Sequence, residues 1–120
     1  MARSKYGAVK TTVDGITFAS QKEATRYGEL KLLEKAGEIR NLRLQPRYVL
    51  TVENDGYPEN GYGRSVNIGE YVADFAYIVI GSRPVLDRRV VEDVKGFKTP
   101  LYRWKRKHVE AQYGITILET

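Results

Sequence analysis

The sequence predicts a small α+β domain whose elements run hairpin, helix, strand, strand, strand, helix, strand. Three observations carry that prediction. Two stretches with clear start and stop signals, residues 20–37 and 99–114, have helical spacing. Between them the chain is rich in Val, Ile, Tyr and Phe, the composition of strands. A Gly-Ser-Arg-Pro cluster at 81–84 separates two such stretches, 71–80 and 90–96, which makes an antiparallel hairpin. The core order is α-β-β-β-α-β, with an extra hairpin before it.

Each element has its own signal. Val9 to Val13 and Ile16 to Phe18 flank Asp14-Gly15, a strong two-residue turn. Ser20-Gln-Lys-Glu23 fits a capping box at the start of the first helix, and Gly37 suits its end. Glu23, Tyr27, Leu30 and Glu34 fall at i, i+4, i+7 and i+11, so Glu23 lies on the stripe facing the sheet. Glu34 is expected at the rim, partnered by a basic side chain. Residues 41–52 read as one strand, with Leu42, Leu44, Tyr48, Leu50 and Val52 on the core parity and Gln45 on the other. Pro46 cannot donate to a ladder, which implies an edge, a bulge or a later strand start.

Residues 53–67 read as the least regular stretch, and Tyr57, Tyr62 and Arg64 within it suit base stacking and phosphate contact. Glu70 shares a strand face with Asp74 and reads as an outer ligand or an exposed residue. Thr99 caps the second helix, with Pro100 at its first position. Leu101, Tyr102, Trp104, Val109, Ala111 and Tyr113 form its apolar arc, opposite Arg103, Arg106, Lys107 and Glu110. Lys105, Gln112 and His108 tilt inward; Lys105 is placed to reach a bound phosphate or to snorkel to water, and His108 reads as a core residue. Ile115 to Leu118 form a last short strand after Gly114.

Composition sets the bounds. The 120 residues make one domain, 1–120, with residues 1–8 expected as a flexible basic arm. No apolar run approaches membrane-spanning length and no signal peptide is visible, so a cytoplasmic location is the default. The absence of cysteine excludes disulfides, thiolate chemistry and cysteine-ligated zinc. A net charge of +5 is a modest excess, compatible with a phosphate-backbone partner. Its distribution is uneven: Arg3, Lys5 and Lys10 lie at the start, and Lys95, Lys98, Arg103, Lys105, Arg106 and Lys107 follow the hairpin.

The chemistry concentrates in the hairpin. Strand alternation puts Asp93 and Lys95 on one face and Glu92 and Val94 on the other, and Asp74 on the partner arm can come opposite the first pair. Such a meeting of two acids and a lysine is a compact site for a hard divalent cation and a phosphate.

At these residues the chain resembles the PD-(D/E)XK nuclease superfamily, whose signature is an acid followed by acid-any-lysine on adjacent strands. The wording Tyr71-Val-Ala-Asp74-Phe, then Glu92-Asp-Val-Lys95-Gly-Phe-Lys-Thr-Pro100, is similar to a family of small phage proteins near the Holliday-junction resolvases. The resemblance runs from about Phe18 to Leu118, and departs from the signature in having Ala73 where proline precedes the first acid. It implies a restriction-endonuclease-like mixed sheet flanked by helices. It also implies a Mg2+- or Mn2+-dependent endonuclease acting on branched DNA, as a homodimer, in the phage's bacterial host. Asp74, Asp93, Glu23 and the Val94 carbonyl would be the ligands and Lys95 the catalytic amine. Gln45 matches a glutamine that recurs near the resembling family's active site, although by parity it reads as an exposed polar residue. Lys105 is an accessory candidate. Lys98, Arg103, Arg106 and Lys107 are candidates for the DNA backbone. Two other readings compete: a nucleic-acid-binding protein with a degenerate site, and a structural or interaction protein whose acid-lysine cluster is a surface ion pair.

Overall fold

Asp14 and Gly15 both take positive φ, 52° and 75°. Two positive φ angles in succession match the right-handed twist of flanking strands, so the chain reverses there in a tight hairpin. The strands are β1 (Thr11–Val13) and β2 (Ile16–Phe18). A computed structural model describes residues 9–54 and 63–120, and they form an α+β fold. The segments 1–8 and 55–62, with the expected basic arm and the loop tyrosines Tyr57 and Tyr62, lie outside the described residues.

Helix α1 (Gln21–Lys35) starts as the capping box predicts, with the Ser20 side chain accepting from the Glu23 amide at 3.1 Å. Its sheet-facing side buries Glu23, Ala24, Tyr27 and Leu30. The fully buried stripe stops there, because Leu33 is 36% exposed.

The single strand expected at 41–52 is two: β3 (Ile39–Leu44) and β4 (Arg47–Asn54). Gln45 adopts a φ of 50°, and Pro46 brings no N–H, so regular pairing ends between them. The stretch around Asp74 is broken in the same way, into β5 (Arg64–Val72) and β6 (Phe75–Val79), leaving Asp74 at a bend rather than within a strand. The two breaks face each other. The Gln45 amide donates to the Asp74 carbonyl at 2.9 Å and the Ala73 amide donates to the Pro46 carbonyl at 3.1 Å. A long strand pair thus bends into two sheets at one place.

One sheet has the order β3-β6-β7-β8, with β7 spanning Arg88–Asp93 and β8 Ile117–Glu119. Its β6/β7 pair is the expected antiparallel hairpin, closed by a short 3₁₀ turn at Pro84–Leu86, and β7/β8 is parallel, so the sheet is mixed. The other is the antiparallel ribbon β4-β5, which absorbs Glu53, Asn54 and Arg64 to Asn67 into strands where the sequence reads as irregular.

Alternation along β6 divides two cores. Phe75 and Tyr77 pack with Phe18, Ala24, Tyr27, Leu30 and Ile39 beneath α1. Ala76 packs with Leu50, Tyr71, Ala73, Val91, Val109 and Ile117 on the other side, beneath α2 (Pro100–Tyr113). The Thr99 hydroxyl caps α2 by accepting from the Tyr102 amide at 3.0 Å, and Gly114 ends it at a φ of 65°.

The apolar arc expected on α2 is its inner face only in part. Val109 is its one fully buried residue, while Leu101, Trp104 and Tyr113 are 61%, 51% and 42% exposed. The reason is what the helix covers. It lies along the ribbon and satisfies its backbone groups: Gln112 accepts from the Thr51 amide at 2.9 Å, and Tyr113 donates to the Val49 carbonyl at 2.7 Å. His108 meets the Thr51 carbonyl at 2.8 Å, and Lys105 donates to the Glu70 carbonyl at 3.0 Å. Polar side chains face the ribbon because an uncovered edge strand presents amides and carbonyls, not a hydrophobic surface. Among the described residues no helix is long and apolar enough to cross a membrane.

Candidate active site

The site forms where the bend between β5 and β6 meets the end of β7. The Asp74 amide donates to the Glu92 carbonyl at 3.1 Å, and the Asp74 Oδ2 accepts from the Val94 amide at 2.7 Å. These bonds anchor Asp74 to the strand that carries Asp93. Lys95 follows directly, its amide donating to the Thr120 carbonyl at 3.2 Å beside β8. Its Nζ lies 3.2 Å from Asp93 Oδ1. Glu23 enters from the first turn of α1 and is 6% exposed.

The carboxyls of Asp74, Asp93 and Glu23 are therefore neighbours in a buried place. Burial first, then the hydrogen bond and charge of Asp93, then the charge of Glu23, push the Asp74 carboxyl up to about 8, against a pull from the Val94 amide. Glu23 is also raised, chiefly by burial and then by the Asp93 charge, although the Asp74 side chain, Lys95 and the Ala19 amide oppose the shift. Contacts with both Asp74 and the Ala19 backbone give Glu23 a place at the helix start and in the cluster together.

Asp93 is fully buried, and its two oxygens differ. The Tyr71 hydroxyl donates to Oδ2, and burial together with that bond holds the phenol far above its ordinary range. Oδ1 is buried without a hydrogen-bond partner; Lys95 Nζ stands within ion-pair distance. The lysine ammonium in turn sits 4.4 Å from the centre of the Tyr102 ring. Glu92, pointing the other way, is fully buried and satisfied. It accepts from Arg26 Nε at 2.5 Å, from Tyr77 at 2.6 Å and from the Thr120 hydroxyl at 3.0 Å, a structural ion pair. A groove of about 550 Å³ opens on the Glu92 side of β7, lined by Lys22, Thr25, Arg26, Val94 and Thr120 among others.

The remaining candidates are dispersed. Glu70 is exposed and paired with Arg47 at 2.5 Å, because the bend separates it from Asp74. Glu34 pairs with Lys31 at 3.1 Å at the rim, as its position on the helix suggests. Gln45 is exposed, and its backbone rather than its side chain touches Asp74. Lys105 is engaged with the ribbon and does not reach the cluster. Lys98 and Arg106 both pair with Glu119, at 3.2 and 2.6 Å, and Arg106 also holds Glu110. They are thus not the uncommitted cations that their spacing suggests. Arg103 and Lys107 are exposed on the outer face of α2.

Three carboxylates and a neighbouring carbonyl are hard oxygen donors suited to Mg2+ or Mn2+. The buried Asp93 Oδ1 has no hydrogen bond, although Lys95 Nζ is 3.2 Å away. That oxygen and the raised Asp74 carboxyl both fit a place where carboxylate charge outweighs the one ammonium beside it. Among the described residues no three acidic or histidine side chains already converge as a cage, and Asp74 holds its proton up to about pH 8. The cation-free protein has a matching pH dependence. Between the ordinary value of 3.8 and about 8, folded Asp74 holds a proton that the unfolded chain has released, so its contribution is lost as pH rises through that window. The wild type is expected to lose on the order of a few kcal/mol relative to Asp74→Asn between pH 4 and 8. Parallel urea-melt profiles for the two would contradict the assignment.

Tyr71 and Tyr102 are the neighbours of the cluster that sequence reasoning misses. Only the bend at Asp74 brings Tyr71 under Asp93, and bends have no periodic signature.

Fold and site together define a small α+β protein with a buried carboxylate cluster and a lysine at the end of a β-hairpin. A family model described as "Protein of unknown function (DUF1064)" matches residues 3–118, and the chain belongs to that family. No curated protein and no solved structure matches it.

Proposed function

We propose that this protein is a metal-dependent DNA endonuclease of the PD-(D/E)XK type, selective for branched DNA such as four-way junctions. The observation that carries the reading is the meeting of Asp74, Asp93 and Glu23 in one buried cluster, with Lys95 Nζ 3.2 Å from Asp93 Oδ1. Asp74, Asp93 and Glu23, with the Val94 carbonyl, would hold one or two Mg2+ or Mn2+ ions. When bound, such a cation supplies Lewis-acid polarisation of the scissile phosphate and offsets developing negative charge.

The protein's own groups do the rest. Asp74, whose carboxyl is raised to about 8, would release its proton to solvent before it could serve as a ligand. Lys95, close to the cluster yet a quarter exposed, orients the attacking water or stabilises charge on the phosphate. Arg103 and Lys107, exposed on α2, contact the backbone without reading sequence. The enzyme would act as a homodimer in the cytoplasm of the phage's host cell.

A panel of linear duplex, single-stranded, flap and four-way substrates tests this. Cleavage with Mg2+ or Mn2+, fastest on the four-way junction and blocked by EDTA, is the expected result. If none of the substrates is cut, the protein is not an endonuclease. DNA retardation at low salt would then favour a nucleic-acid-binding protein with this fold.

A further inference from the structure

We infer that Tyr71 and Tyr102 are positioning residues of the site: the hydroxyl of the first fixes Asp93, and the ring of the second holds the Lys95 amine. The inference rests on the proposed reading of the carboxylate cluster as a place for a cation and a phosphodiester.

A carboxylate can turn about its last bond and offer either oxygen. Asp93 is held from doing so, because Oδ2 is committed to the Tyr71 hydroxyl while Oδ1 has no hydrogen-bond partner. One oxygen alone is left for an incoming cation. Tyr71 is 3% exposed and packs in the core beneath α2 with Leu50, Val91 and Val109. Packing would be met by phenylalanine; the hydroxyl serves this carboxylate first and the Tyr102 hydroxyl beside it second. Outer partners of this kind orient ligating carboxylates and commonly govern metal affinity.

Lys95 presents the complementary difficulty. Its ammonium lies on the same Oδ1 that a cation would take, and two positive charges cannot share it. The Tyr102 ring, 4.4 Å away, offers the ammonium an attractive face that consumes no carboxylate oxygen. That ring is itself held. Its hydroxyl donates to Glu119 at 2.8 Å, and Glu119 is fixed by Lys98 and Arg106. The Tyr71 and Tyr102 rings pack 6.3 Å apart, so the two supports form one unit under the site. Lys98 and Arg106, sought as DNA contacts, serve in this chain of support.

Mn2+ binding by calorimetry, measured beside four-way-junction retardation, tests the inference. Tyr71→Phe is expected to weaken Mn2+ about tenfold with retardation unchanged. Tyr102→Leu is expected to lower the cleavage rate at saturating Mn2+ about tenfold with KM unchanged, and Tyr102→Phe, which keeps the ring but not its bond to Glu119, to lower it by less. Wild-type Mn2+ affinity in Tyr71→Phe overturns the role of Tyr71 while leaving the nuclease reading intact. Equal rates in Tyr102→Leu and Tyr102→Phe overturn that of Tyr102. If Tyr71→Phe does not fold, the Tyr71 ring carbon resonance of 13C-tyrosine-labelled wild type decides. It should shift with Mg2+ occupancy, and a resonance that stays fixed refutes the coupling. A wild type that binds no Mn2+ defeats the cation reading itself, and the inference with it.

Discussion

Asp93→Ala is expected to reduce Mg2+-dependent cleavage by ~10³-fold or more while leaving retardation of a four-way junction largely intact. The size follows from what is removed. Polarising a phosphate is worth several kcal/mol, and ~4 kcal/mol corresponds to ~10³ in rate. The separation of cleavage from binding follows from position. Asp93 is fully buried at the end of β7, whereas Arg103 and Lys107 lie exposed on α2. Truncation also leaves the Tyr71 hydroxyl without its acceptor, so Asp93→Asn is the companion variant. It keeps the shape and an oxygen but not the charge, and should be nearly as inactive. Cleavage within about threefold of wild type in both variants would place the chemistry elsewhere.

Arg26→Ala should produce the largest loss of stability, roughly 3–5 kcal/mol. Glu92 is fully buried, and Arg26 grips both of its oxygens, at 2.5 and 3.2 Å. Tyr77 and Thr120 remain as neutral donors, but they cannot neutralise the charge. An uncompensated carboxylate is left in the interior, and in a domain of this size the melting point should fall by roughly 12–20 °C. Arg26→Ala combined with Glu92→Gln should recover a substantial part, because the amide removes the charge that lacks a partner. A single-variant loss below about 1 kcal/mol would show that the ion pair is not what closes α1 onto the sheet.

Much of this protein is written in local sequence. The Asp14-Gly15 hairpin, the Ser20 and Thr99 caps, the Gly114 stop and the β6/β7 pairing each rest on side-chain chemistry within a few residues. The opposition of Asp74 to the end of β7 follows from the hairpin register. The bend is different. Pro46 signals an interruption, but nothing near Asp74 indicates that the partner strand breaks opposite it. That second break is a tertiary event, and it decides that Tyr71 supports Asp93, that Glu70 leaves the site, and that a ribbon projects for α2 to cover.

Helix α2 shows the same limit from another direction. Its spacing places Gln112, His108 and Lys105 inward, as the structure has them. Periodicity, however, assumes a hydrophobic surface beneath the arc, and this helix meets strand backbone, so Leu101 and Trp104 stay exposed. Charge counting fails at Lys98 and Arg106 for a related reason. Their carboxylate partner Glu119 belongs to β8, which only the folded sheet brings alongside.

The most direct measurement is a calorimetric titration of Mn2+ into the cation-free wild type, repeated in buffers of different ionisation enthalpy. Saturable binding near neutral pH, accompanied by proton release as the Asp74 carboxyl ionises and lost in Asp74→Ala, is the predicted result. Absence of saturable binding, or binding that Asp74→Ala leaves unchanged, would contradict a cation site built from these carboxylates.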